Sequence, residues 1–321
     1  MNKNSKKSDK TSIEPLVASR QESTKVYRDN KIKFFNGKSL LETKFPVREN
    51  ILKPILKVQD LVEIHAFRGC GKTYFALAMA AHIACGCNFL KWQCNKPYKV
   101  LYLDGEMLAQ DIQDRVRNII NWGQFNVNLF DENFIYYGAT LQDHIVPSLS
   151  SWEGQEYFMP AIDLAQVVII DSYLTLASTS LDYNDIRSSQ PFQEFLLLLR
   201  RQGKTCIFLH HSGKNGGQLG TSGRETVLDT VIKLEQLPAQ GGNETKVRLS
   251  FEKSRSFFGQ DAMPLDLTLD SRGWSWSPAQ DGEKELLQKL WSLGFSQEEI
   301  AKELNVYQST VSRKLKKYGL K

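Results

Sequence analysis

The run AFRGCGKTY, Ala66 to Tyr74, closes on Gly71-Lys72-Thr73 and carries a further glycine, Gly69, just before. A bound polyphosphate needs backbone N–H groups that converge on it, a helix N-terminus behind them, and a cation that reaches its terminal oxygens. Gly69 and Gly71 permit the close backbone approach, Lys72 supplies the cation, and Thr73 offers a hydroxyl to Mg2+. The whole stretch (Ala66, Phe67, Arg68, Gly69, Cys70, Gly71, Lys72, Thr73 and Tyr74) is therefore the candidate cradle for ATP with Mg2+. Its first position departs from the G-x-x-x-x-G-K-[ST] pattern, which opens on glycine; Ala66 is harmless there if its φ is negative.

Three apolar runs end in groups suited to the same chemistry. VVIID delivers Asp171, a candidate for holding Mg2+ through its water shell. Ser172 follows it, so the base that activates water must come from elsewhere. KVLYLDGEM places Glu106 just past a strand end, where ligands of parallel sheets collect, and Asp104 is its weaker substitute. TCIFLHH brings His210 and His211; neighbours on a strand face opposite ways, so at most one of them points at a γ-phosphate. The loop after them, SGKNGGQLGTSGRE, is Gly-rich with Lys214 and Arg224, suited to nucleic acid or to a neighbouring subunit, or else an ordinary surface loop. FEKSRSFFG sets Lys253 and Arg255 on one strand face, either as fingers completing a neighbour's site or as edge charges.

The elements that must position these groups alternate. DLVEIHA, KVLYLDG, NFIYYG, VVIID and TCIFLHH read as strands. KTYFALAMAAHIA, AQDIQDRVRNIINW, MPAIDLAQ and PFQEFLLLLRRQG between them read as helices or helix ends. Continuous apolar strands separated by helices predict a parallel sheet covered on both faces. DTVIKLEQL, TKVRLSFEKSR and MPLDLTLD lie close together with turn residues between them, which predicts an antiparallel extension at one edge. The Pro-, Asp- and Gly-bearing SPAQDGEK then breaks the pattern, and the last forty or so residues have helical period. The expected organisation is a basic unstructured leader at 1–32, an α/β domain at 33–277, and a small all-α domain at 278–321.

The net charge of +5 is unevenly spread. Residues 1–35 hold nine Lys/Arg against four Asp/Glu, and residues 297–321 hold six against three. Basic ends on an acidic body suit contact with nucleic acid, although a solvated leader would carry the same charge. The longest apolar run, near Phe75 to Ala84, is too short to cross a bilayer. No apolar stretch follows the charged start MNKNSKKSDKTS, so the expectation is a cytoplasmic chain without a membrane partner. The five cysteines read as reduced thiols.

Within the last domain, SQEEIAKELNVYQSTVSRKLKKYGL reads as a helix-turn-helix. Ile300, Ala301, Leu304, Val306, Val311 and Leu315 supply its packing positions. Its second helix would turn Gln308, Ser309, Thr310, Ser312 and Arg313 to DNA bases, with Lys314, Lys316 and Lys317 toward phosphates. The rival reading is a helical pair that caps an oligomer with its lysines solvated.

Taken together, AFRGCGKTYFALAMAAHIACG, VLYLDGEM, VVIIDS, IFLHHSGK, GTSGRE and EKSRSFFG resemble RecA-like P-loop ATPases, specifically those similar to plasmid RepA-type hexameric helicases, over about residues 33–276. The resemblance implies a RecA-like sheet sandwiched by helices. It makes Glu106 the catalytic base, His210/His211 the γ-phosphate sensor, and Arg255 with Lys253 the finger in the adjacent subunit, with Arg224 as rival. It also implies a ring-forming ATP-driven motor whose partners are single-stranded DNA in a central channel and duplex DNA at the helix-turn-helix. The competing expectation is an ATP-gated DNA-binding regulator or loader that does not unwind.

Overall fold

In the computed structural model the described residues are 33–123, 125–177, 186–212, 226–238, 244–279, 282–304 and 306–321. The chain divides into two compact units at Val47. In the first, helix α1 (Gly37–Glu42) starts at Asn36, whose side chain accepts the Ser39 N–H at 2.8 Å. The rings of Phe35 and Phe45 meet edge to face at 5.8 Å.

The second unit, Arg48–Lys321, opens with a small antiparallel pair, β1 (Asn50–Leu52) and β2 (Leu56–Lys57). There follow β3 (Leu61–Ala66), α2 (Lys72–Cys85), β4 (Val100–Asp104), α3 (Ala109–Trp122), α4 (Val127–Asn133), β5 (Phe134–Gly138), α5 (Trp152–Asp163) and β6 (Val167–Asp171). Next come α6 (Tyr173–Leu176), α7 (Ile186–Arg201), β7 (Thr205–His211), β8 (Thr230–Gln236), β9 (Thr245–Ser254), β10 (Leu265–Asp270) and β11 (Gly273–Pro278). Three helices end the chain: α8 (Gly282–Ser292), α9 (Gln297–Glu303) and α10 (Gln308–Lys317).

β3 to β11 form one nine-stranded sheet in the order β11-β10-β9-β8-β3-β7-β6-β4-β5. From β8 to β5 all pairings are parallel, and from β8 to β11 all are antiparallel. β3, β4 and β6 are buried at every residue, as strands covered on both faces must be. This is the mixed α/β architecture expected from the strand and helix alternation, with two differences. β8, grouped with the antiparallel strands by its closeness to β9, pairs parallel with β3. GWSWSP forms a strand, β11, that the sequence reading left out, although Trp274 and Trp276 alternate as a strand requires.

Two apolar layers flank the sheet. One centres on α2 and takes in Val62, Ile64, Tyr102, Ile169, Leu209 and the inner residues of β9 and β10. Eleven of the fourteen α2 residues are buried, which is why KTYFALAMAAHIAC is apolar all round rather than along one stripe. The other layer packs α5, α6 and α7 on Leu101, Val168, Ile170 and Phe208.

The three terminal helices bury Leu287, Leu290, Ile300, Ala301, Val311 and Leu315 among themselves. Ser296 caps α9 by accepting the Glu299 N–H, and Glu299 accepts the Ser296 N–H in return, the reciprocal box written as SQEE. Side chains fasten this body to β9: Arg248 pairs with Glu285, and Lys289 Nζ donates to the carbonyls of Phe251 at 2.9 Å and Glu252 at 3.0 Å.

Candidate active site

Parallel strands present their C-terminal ends along one edge, and that edge gathers the predicted chemistry. Register sets Ala66 beside His211 and Asp104 beside Asp171. Between β3 and α2 the chain turns through Gly69 at φ 86° and Gly71 at φ 78°, conformations that cost a side-chain-bearing residue free energy. Ala66 needs no such freedom. Among the described residues only Gln59 and Leu90 are non-glycine with positive φ, and the Ala66 methyl is fully buried in the α2 layer. The departure from the usual first glycine is therefore sterically neutral here.

α2 begins with Gly71 as its N-cap and without a side-chain cap, so its first N–H groups are left for an anion. Lys72, at the first position of α2, extends Nζ to within 3.1 Å of His211 Nδ1. Burial pushes its ammonium below the ordinary lysine range, while the carboxylates of Asp171 and Glu106 oppose that shift. His211 is lowered too, first by burial and then by the Lys72 charge, which leaves a neutral ring able to accept from Lys72. Its Nε2 lies 3.8 Å from Glu106 Oε2. Glu106 keeps 56% of its side chain exposed, open to water at the strand edge.

Asp104 serves a different end. Its Oδ1 accepts the N–H groups of Glu106 at 3.0 Å and Met107 at 3.1 Å, and its Oδ2 accepts the Tyr136 hydroxyl at 2.9 Å. Those three bonds shape the turn that presents Glu106 and occupy the carboxylate that was its substitute.

Asp171 is 3% exposed. Burial raises its carboxyl, against hydrogen bonds from the hydroxyls of Thr73 and Tyr102 and the charge of Lys72. The Tyr102 bond is 2.8 Å long. Thr73 and Asp171 thus meet as a hydroxyl and a carboxylate, the hard-oxygen donor pair that suits Mg2+. Together with the glycine cradle and the uncapped helix, they fit a magnesium-bound nucleotide.

The remaining predicted residues are placed as follows. Phe67 is exposed at the loop tip, and Cys70 is buried, which raises its thiol. Tyr74 stacks on Trp122 at 5.2 Å, with Arg115 over its ring at 5.5 Å. Arg68 is exposed. His210 is buried and turns the opposite way from His211, edge-on to Tyr173 at 5.3 Å, as strand alternation requires. Arg255 lies just past the end of β9; it donates to the Thr226 carbonyl at 2.6 Å and faces Asp229 at 3.8 Å. Lys253 pairs in register with Val231. Lys214 and Arg224 lie outside the described residues.

On α10, Gln308, Ser309, Arg313, Lys316 and Lys317 are exposed, while Thr310 and Ser312 are half-buried. Lys314, expected at a phosphate, pairs instead with Glu283 of α8. Although burial works the other way, the hydrogen bonds of Lys314 and Tyr318 hold the Glu283 carboxyl below the ordinary range.

Sequence reasoning missed two residues at this edge. Tyr102 stood mid-strand with only its aromatic type as a signal. Trp274 of β11 lies against the phosphate loop: a Cβ on Gly71 would meet its ring at 3.6 Å, and the ring also packs edge-on against Phe75 at 5.7 Å.

A glycine-cradled helix N-terminus with a buried lysine, a Thr/Asp pair and an exposed glutamate on the neighbouring strand edge defines a P-loop NTP hydrolase. A family model for an AAA domain, AAA_25, matches residues 32–217, more than half of the chain, and the protein belongs to that family. It is a P-loop ATPase. No curated protein matches the chain. Among the described residues no helix is long and apolar enough to cross a membrane.

Proposed function

We propose that this ATPase is an oligomeric DNA motor, a replicative helicase of a plasmid, phage or other mobile element that works as a hexameric ring. The hydrolytic part of the reading rests on the line from Lys72 through His211 to Glu106 along the edge of the sheet; the motor part rests on the resemblance to hexameric helicases. Glu106 takes a proton from the attacking water while the water oxygen bonds to the γ-phosphorus and the bond to the β–γ bridging oxygen breaks, releasing ADP. Lys72 neutralises the charge on the transferred group. Thr73 and Asp171 would hold Mg2+, which when bound would supply further charge neutralisation at the phosphates. His211 loses Lys72 as its partner when that lysine turns to phosphate oxygens, which makes the ring a sensor of occupancy in the run of sequence that leads to Lys214 and Arg224.

Arg255, Lys253 and Arg224 are the candidates for completing a neighbour's site. Arg255 would first have to leave its own chain's Thr226 and Asp229. Gln308, Ser309, Thr310, Ser312 and Arg313 would read duplex DNA, with Lys317 at phosphates. For ATP to drive movement, affinity for DNA must differ between nucleotide states.

A second reading, an ATP-gated DNA-binding regulator or loader, draws on the attachment of the three-helix body to β9 through Arg248 and Lys289. Steady-state ATP hydrolysis without DNA, with single strands and with duplex, run beside unwinding of a forked substrate, separates the two. Stimulation by single strands together with unwinding supports the motor. Stimulation by duplex alone, without unwinding, overturns it in favour of the regulator.

A further inference from the structure

One residue before the phosphate loop, β3 carries a histidine with no exposure at all. Both ring nitrogens of His65 are engaged, Nδ1 with Ser212 Oγ at 2.9 Å and Nε2 with Glu252 Oε2 at 2.9 Å. The Glu252 carboxyl is lowered although burial opposes it, because His65 and nearby lysines favour its charge. An ionised carboxylate only accepts, so Nε2–H donates to Glu252, and with that tautomer Nδ1 accepts a hydrogen bond from the Ser212 hydroxyl.

The two partners belong to different parts of the fold, the end of β7 and the bulge of β9. Ser212 follows directly on His211, and its N–H donates to the Ala66 carbonyl at 2.9 Å, closing the end of β7 onto the start of the phosphate loop. Glu252 lies where the β8–β9 register slips, Val231 facing Lys253 and Ile232 facing Phe251. That bulge leaves Glu252 without a cross-strand partner and lets its side chain reach β3. The carbonyl of the same residue accepts from Lys289 of α8. Turning the ring would break both of its bonds and strand polar atoms in the interior, so it has a single favoured orientation.

We propose that His65 is a positioning residue for ATP hydrolysis. It fixes Ser212, and with it the end of β7, so that His211 stays aligned with Lys72 and Glu106. Through Glu252 it makes that alignment depend on how α8 is seated on β9. The inference rests on the ATPase reading and adds to it a route by which the terminal helices reach the γ-phosphate side. A satisfied core histidine with no such role would contribute to stability alone.

The test uses the full chain and compares kcat, KM, binding of a slowly hydrolysed ATP analogue, and Tm. Ser212→Ala and Glu252→Gln should each lower kcat about tenfold, with KM and analogue binding within about twofold of the parent, because the ring they orient acts on turnover rather than on capture. His65→Asn, which keeps a polar atom near the Nδ1 position, should retain more kcat than His65→Gln, which keeps one near Nε2. Lys289→Met, remote from the phosphates, should lower kcat several-fold. Should the His65 variants fail to fold, Ser212→Ala removes one hydroxyl and still gives the answer. Variants that lose Tm while kcat stays within about twofold overturn the proposal and leave the ATPase reading standing. Absence of turnover in the parent protein overturns both.

Discussion

Replacing Tyr102 by phenylalanine isolates one bond of the candidate magnesium site. The ring lies within β4 with no exposure, and its hydroxyl is 2.8 Å from an Asp171 carboxylate that is itself 3% exposed. Phenylalanine keeps the ring and its packing near Phe134, so the change is confined to one oxygen. A hydrogen bond to a charged group contributes about 1.5–3 kcal/mol. With a urea slope of roughly 2–3 kcal/mol per molar, the unfolding midpoint of the unliganded protein should fall by about 1 M without a change of slope. The lost bond favoured the ionised form of Asp171, which burial already disfavours, so the carboxyl should rise further. The acid limb of ATP turnover should then move to higher pH, by about one unit for each 1.4 kcal/mol lost. A midpoint within about 0.2 M of the parent, with the acid limb unmoved, would refute the argument and leave Thr73 as the partner that matters.

Three further substitutions probe other links. Glu106→Gln should cut kcat by about 10²–10⁴-fold while nucleotide binding persists, measured by single-turnover hydrolysis beside equilibrium titration; unchanged turnover would remove Glu106 as the base. Gly71→Ala meets no clash, since Trp274 would be 3.6 Å from the new methyl, yet at φ 78° it should cost about 1–2 kcal/mol of stability and weaken nucleotide binding. His82, half-buried with its ring against Phe89 and Phe125, is pushed down to about 4 by desolvation, so the folded chain resists a proton that the unfolded chain accepts near 6.5. The stability it carries is complete above pH 6.5 and is lost as pH falls through about 4, up to about 3 kcal/mol at 1.4 per unit. His82→Phe should flatten the fall of Tm across that window; an equal fall in both proteins would count against it.

What the sequence determined by itself is local. The phosphate loop was legible because its chemistry lies within nine consecutive residues, and backbone sterics fix what Gly69, Gly71, Lys72 and Thr73 can do at a strand-to-helix turn. The opposite facings of His210 and His211 followed from the two-residue period of a strand. Strand type was legible from continuous apolar runs, and with it the edge where Glu106 and Asp171 would end.

Only the tertiary structure decided which of these groups touch. Lys72 and His211 meet across 139 residues, and His65 and Glu252 across 187, because the sheet order sets β7 beside β3 and a bulge in β9 aims one carboxylate back at it. The same holds for Trp274 against Gly71, and for Lys314, whose charge is spent on Glu283 in a neighbouring helix. Residue type and period specify what an element is and which way its side chains point. Which strand lies next to which depends on crossovers and on the burial of whole layers, and those are properties of the assembled chain.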